Sequence, residues 1–212
     1  MSKRQYEQVC ALSVALDILG DRWTLLVLRE LLFGSRRYSD ILRGVPNMGT
    51  NLLAKRLKEL EAAGLIQQTK LPPPAATTVY EFTAVGQQAL LPIITTLTDF
   101  GVQHLQYPPI EGHFVPASST MGAMNKFFTA NNPSISEAVQ IFIPNDAFYC
   151  VIEDGKRGGV GFGLSPKPAT IVLRSIPDVI MGLVVGYVDV KTAVSDQRLT
   201  IEQGELTAVE SF

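Results

Sequence analysis

Between Thr50 and Leu65 the chain reads TNLLAKRLKELEAAGL, and no other run constrains the fold as tightly. Leu53, Leu57 and Leu60 recur at i, i+4 and i+7, the spacing of one helical face. At about 100° per residue, Asn51, Lys55 and Lys58 fall on the opposite side. Gly64 stands where a helix C-terminal cap belongs, and Leu65 follows to close over it. The pattern predicts a helix over 50–63 that buries leucine on one face and presents an amide and two lysines on the other. Alone, such a face is usually just a solvated surface. Its neighbours decide what it is for.

Upstream, Leu12, Ala15, Leu16 and Leu19 predict a helix over Cys10–Leu19, stopped by Gly20. Asp21 is expected to cap the next helix, Arg22–Phe33, which is apolar on most sides and therefore central. Trp23 belongs to that core rather than to a contact surface. Ser39 is expected to cap a short helix carrying Ile41, Leu42 and Val45, and Pro46–Gly49 a turn before the leucine helix. Downstream, Ile66–Lys70 and Thr77–Thr83 alternate and predict a hairpin, joined across Leu71–Ala76 with Tyr80 and Phe82 on one face. Thr83 can cap a last helix reaching about Gln106, with Ile93, Leu97 and Phe100 as a seam and Pro92 as a kink. Two helices joined by a tight turn form a helix-turn-helix, and a hairpin directly after it forms a wing.

This order suits duplex DNA, which needs cations and backbone donors for phosphate and forked or amide donors for base edges. Arg36 and Arg37, just before the first helix of the pair, are placed to clamp phosphate. Thr50 offers a hydroxyl and helix N-terminal amides to phosphate. Asn51 can read adenine, Lys55 can reach guanine or phosphate, Lys58 shares their face, and Lys70 can meet phosphate from the wing.

The remainder of the chain separates at YPPIEGHFVPAS, where three prolines and a glycine oppose both helix and strand. The expected organisation is a winged helix-turn-helix and dimerisation domain over 1–106, a linker over 107–117 and an accessory domain over 118–212. Charge divides in the same way. Residues 1–110 hold 11 Lys or Arg against 9 Asp or Glu, and residues 111–212 hold 7 against 11. The net charge of −2 excludes a global basic or acidic tail. Two cysteines and two histidines exclude a disulfide scaffold and show no ligand spacing for a metal site. The N-terminus lacks the apolar stretch of a secretory signal, and the longest apolar run, Val179–Val188, is far shorter than the ~20 residues that span a bilayer. A cytoplasmic protein with no membrane partner and no cofactor is expected. No nucleophile elbow or Cys–His pairing nominates a catalytic residue, so an enzyme is not expected. Lys156–Gly163 is glycine-rich but lacks the phosphate-loop lysine, and reads as a hairpin turn with a strand.

The run LDILGDRWTLLVLRELLFGSRRYSDILRGVPNMGTNLLAKRLKELEAAGLI resembles the HxlR family of bacterial winged-helix transcription regulators, and YEFTAVGQQALLPIITTL resembles that family's wing strand and final helix. The resemblance spans about residues 8–104. It implies a homodimer built by the N-terminal and last helices on a roughly palindromic operator, with Thr50–Ala63 as recognition helix. Gly49 stands where many members carry a serine-type cap. Cys10 matches a cysteine that in some members senses oxidants or electrophiles, and Lys3 and Arg4 are placed to favour its thiolate. The alternative is an inert cysteine buried at the dimer interface.

Residues 118–212 predict an α/β mixture. Ser118–Ala130 reads as a helix, followed by strands at Ala138–Ile143, Phe148–Ile152, Val160–Leu164 and Ala169–Leu173. Helices at Asp178–Gly186 and Val190–Ser195, a strand at Arg198–Glu202 and a final short helix complete it. The last 44 residues, from Ala169, resemble the C-terminal half of sterol-carrier-like domains, which implies a sheet with helices on one side, sometimes around an apolar cavity. The fold class is thus α+β: a winged helix-turn-helix domain followed by a small α/β sterol-carrier-like domain. Two functions fit the second part. It binds a small apolar effector, with Phe127, Phe128 and Met181 as pocket residues, or it only adds dimer contacts. The alternative for the whole chain is an apolar-ligand carrier or sensing module whose winged helix mediates protein contacts.

Overall fold

The computed structural model describes residues 5–110, 112–127 and 136–211. The chain forms two compact units, Met1–Leu105 and Gln106–Phe212. The first contains α1 (Ala11–Leu19), α2 (Thr24–Arg29), β1 (Arg36–Arg37), α3 (Tyr38–Gly44), α4 (Thr50–Ala62), β2 (Ile66–Lys70), β3 (Thr78–Phe82) and α5 (Ala84–Val102). Its core gathers Val27, Leu28 and Leu31 from around α2, Ile41 from α3, Leu53, Leu57 and Leu60 from α4, and Leu90 and Ile94 from α5. Each buried leucine contributes roughly 1.5–3 kcal/mol. Trp23 packs partly buried against this cluster, with the Arg22 guanidinium 5.1 Å from its ring centre.

Four local expectations are corrected. The central helix is shorter than Arg22–Phe33, and residues 30–33 are turn. Asp21 does not cap it through its side chain; the carboxylate pairs with Arg56 instead. Ser39 lies inside α3, whose N-cap is Arg37. The last helix ends at Val102 rather than near Gln106. The wing also gains a strand, because β1 pairs with β3 to give the order β1-β3-β2.

The end of α4 follows the sequence closely. Gly64 has φ +70°, the left-handed geometry a glycine tolerates without strain. The Leu65 amide donates to the Leu60 carbonyl at 3.0 Å and the Gly64 amide to Glu61 at 2.9 Å. This pairing closes the helix and turns the chain into β2. Thr83 then caps α5: its Oγ1 accepts from the Gly86 amide at 2.9 Å and donates to the Gly64 carbonyl at 2.7 Å. One hydroxyl therefore ties the start of α5 to the end of α4.

The second unit contains α6 (Ala117–Phe127), β4 (Glu137–Ile143), β5 (Asp146–Glu153), β6 (Lys156–Phe162), β7 (Ile171–Arg174), α7 (Pro177–Val184), α8 (Val190–Ser195), β8 (Thr200–Gln203) and α9 (Leu206–Ser211). Its sheet runs β6-β5-β4-β7-β8, antiparallel except for the parallel β4–β7 pair. The glycine-rich run is strand β6. It is joined to β5 by Asp154-Gly155, both at positive φ (51° and 68°), as a two-residue hairpin turn demands. Gln140 is 4% exposed in β4; its amide donates to the carbonyls of Phe148 and Gly163 and accepts from the Ser165 amide. The connection after β6 is thereby pinned to the sheet. The proline-rich segment read as a linker packs within this unit, with the Tyr107 hydroxyl donating to the Asp178 carbonyl at 3.1 Å. Burial, with Asp178 nearby, pushes the Tyr107 phenol up to about 12. Among the described residues no helix is long and apolar enough to cross a membrane.

Thr83→Ala is expected to cost about 1–2 kcal/mol and Thr83→Ser little. Urea unfolding followed by far-UV circular dichroism checks both.

Candidate nucleic-acid interface

The exposed face of α4 is defined by what its other face buries. Leu53, Leu57 and Leu60 are at most 2% exposed, so Asn51, Lys55 and Lys58 point to solvent together. Gly49 provides the N-cap, with extended backbone and no capping side chain. Thr50, exposed, opens the helix. The Tyr38 hydroxyl donates to the Thr50 carbonyl at 2.6 Å, joining the start of α3 to the first turn of α4. On the opposite side of the motif the Arg29 guanidinium donates to Glu30 at 2.7 Å and to the Gly44 carbonyl at 2.8 Å, tying α2 to the end of α3. Glu30 is 1% exposed, and a Cβ on Gly44 would run into its carboxylate.

The structure divides the expected cations. Arg37 and Lys70 are exposed, Lys70 at the end of β2 beside the wing tip. Lys55 is half-exposed, with Nζ 3.8 Å from the Glu59 carboxylate. Arg36 departs from its expected role as a phosphate clamp. It is 6% exposed because β1 pairs it opposite Tyr80 and turns its side chain away from solvent. On the wing, Glu81 accepts from Thr69 at 2.6 Å and from Gln67 at 3.0 Å. These bonds hold its carboxyl below the usual carboxylate range.

Sequence reasoning passed over Arg56. It is 9% exposed and pairs with Asp21 and, at 2.5 Å, with Glu59. The signal was available: at about 100° per residue Arg56 lies roughly 60° from Leu53, on the flank of the apolar face. Tyr38 was also missed, since nothing in the sequence distinguishes a hydroxyl with a partner from one without.

Residues 18–108 match the HxlR-like helix-turn-helix family. The uncharacterized HTH-type transcriptional regulator YvaP of Bacillus subtilis is 36% identical over 89 residues, spanning 42% of this chain and 82% of that protein. The chain belongs to the HxlR-like helix-turn-helix family. A second relative, the uncharacterized HTH-type transcriptional regulator sll1512 of Synechocystis, is 31% identical over 103 residues, 49% of this chain and 76% of that one. Among solved structures, the reduced form of the transcriptional regulator YodB from B. subtilis is 28% identical, with a TM-score of 0.40, and covers 49% of this chain and 100% of its own. The match to the family lies within residues 18–108, which hold the helix-turn-helix and the β2–β3 wing.

Cys10 is exposed at the start of α1, whereas Cys150 is buried in β5. Cys10 makes no capping hydrogen bond. Even so, the Ser13 amide and hydroxyl, and then the Leu12 amide, pull its thiol below the ordinary value. Lys3 and Arg4, expected to assist, lie outside the described residues. Among the described residues no group of three metal-ligating side chains converges. In the second unit, Met181 is 8% exposed, while Phe128 and the side chain of Phe127 lie outside the description. A cleft of about 500 Å³ opens elsewhere, between Glu137, Glu153, Asp154, Lys167 and Thr170, and Met181 does not line it. That cleft is rimmed by charge.

A lowered thiol pKa shifts the rise in thiolate to lower pH than for an ordinary cysteine. Iodoacetamide is therefore expected to label Cys10 faster than a model thiol near neutral pH. Ser13→Ala should move that profile upward, and Cys150 should be labelled only on unfolding. Peptide mass spectrometry across a pH series measures all three.

Proposed function

We propose that the chain is a transcriptional regulator that binds duplex DNA as a homodimer, reading bases with α4 and gripping phosphate with its wing. The observation that carries this is the outward face of α4. Its amide and two lysines share one side because three leucines occupy the other. Asn51 has the two-sided amide that pairs with adenine, Lys55 and Lys58 reach guanine or phosphate, and Thr50, Arg37 and Lys70 lie where backbone contacts are made.

Dimerisation is supported by apolar surface that a monomer rarely leaves open. Leu12 and Leu16 of α1 are 67% and 40% exposed, and Leu97 and Phe100 of α5 are 48% and 63% exposed. A second copy covering α1 and α5 would bury both stripes and present two α4 helices to one operator. The second unit serves as an accessory domain. Its closing order, β7, α7 ending before Gly186, α8, β8 and α9, agrees with the order that the sterol-carrier resemblance implies.

Lys55→Ala with Lys58→Ala should weaken binding to duplex DNA without lowering the unfolding temperature. The slope of log affinity against log salt should shrink by roughly 1.8, two phosphate-equivalents. Fluorescence anisotropy over a salt series measures it. An unchanged slope contradicts DNA reading by α4. Salt-insensitive binding together with co-purifying lipid, found by mass spectrometry of a solvent extract, supports the carrier alternative.

A further inference from the structure

Lysines and amides on a helix read bases only if the helix cannot roll about its own axis. The three leucines that seat α4 specify which face is buried, but apolar contacts are non-directional. A helix with its side chains is about 10–12 Å across, so a roll of ~20° moves a surface side chain by about 2 Å. That is more than the range of about 0.5 Å within which an N–H···O bond keeps its strength. Something directional has to fix the roll, and it should act on the flank between the buried and the reading faces.

Arg56 occupies that flank. It is 9% exposed, so it is not itself a surface for DNA. Its guanidinium pairs with Asp21, which follows Gly20 at the end of α1 and precedes α2. It also pairs at 2.5 Å with Glu59, one turn further along α4. Lys55 approaches the same Glu59 only to 3.8 Å. The carboxylate is thus shared, with the arginine making the closer of the two contacts.

We propose that Arg56 is a positioning residue for base reading. Anchored to Asp21, it fixes the rotation of α4, and by taking the closer contact with Glu59 it loosens that carboxylate's hold on the Lys55 ammonium. The inference rests on the reading that α4 contacts DNA. It assigns sequence discrimination to a residue that touches no base.

The test compares the intact chain with Arg56→Met, Arg56→Lys and Asp21→Asn. The probes are a labelled duplex enriched from a random pool by the wild-type protein and an unselected random duplex. Arg56→Met keeps the packing volume and removes the charge. It is expected to lose roughly tenfold affinity for the enriched duplex, the scale of one lost base contact, with affinity for the random duplex and the salt slope unchanged. Arg56→Lys should restore part of the ratio. Asp21→Asn, at an exposed site, should lower the ratio in the same direction even if Arg56→Met folds poorly. Adding it to Arg56→Met should bring no further loss.

An unchanged ratio in both Arg56→Met and Asp21→Asn overturns the inference. So does a slope that falls by about one, which would make Arg56 a phosphate contact. Equal losses on both duplexes would mean a merely structural role and also overturn it. The lysine double variant separates the two levels. If it loses its slope while Arg56→Met changes nothing, only the positioning inference falls. If neither variant changes anything, the α4 reading falls and takes the inference with it.

Discussion

The burial of three leucines under α4 is the constraint on which the first unit depends. Leu53, Leu57 and Leu60 reach Val27, Leu28, Leu31 and Ile41 in one cluster, and their removal from water stabilises the unit by several kcal/mol. The outward direction of Asn51, Lys55 and Lys58 is a consequence of that burial. Burial sets which side of the helix faces solvent, because the helix has no other way to satisfy its apolar side. The wing follows from the same event. The Gly64 turn starts β2 immediately after the last buried leucine, and the Thr83 hydroxyl returns to the Gly64 carbonyl, so hairpin and α5 are registered on α4.

Onto this apolar frame the chain adds buried charge. Glu30, Arg36 and Arg56 are each less than 10% exposed, and buried charges are poor sources of net stability. What they contribute is direction. Arg29 and Glu30 link α2 to the last carbonyl of α3, and Arg56 links α4 to the junction before α2. Each is a contact that leucine packing cannot supply. Tyr38 adds a neutral counterpart at the start of α4. The helix-turn-helix is therefore seated by non-directional burial and aligned by a few directional bonds at its joints.

The parts of this fold governed by local pattern were readable from the sequence. The i, i+4, i+7 leucines, the Gly64 stop and the Thr83 cap depend on residues within a turn or two of one another, and α4, the hairpin and α8 follow them. Long-range geometry was not readable. Arg36 looked like a surface cation because its burial is set by pairing with Tyr80, 44 residues away. Asp21 looked like a helix cap because its true partner, Arg56, is also remote, 35 residues away. Ser39 failed as a cap for a different reason: Arg37 closes β1 and caps α3, so the helix starts two residues earlier. In the second unit, strand periodicity located most of the sheet. Whether its apolar residues line a cavity depends on packing that no spacing encodes.

Site-specific photocrosslinking tests the central claim most directly. A photoreactive side chain is placed singly at Asn51, at Lys58, and at Glu210 in α9 as reference, and each protein is irradiated on the enriched duplex. The account predicts covalent DNA adducts from positions 51 and 58 and none from 210. Adducts from the second unit with none from α4 would contradict it.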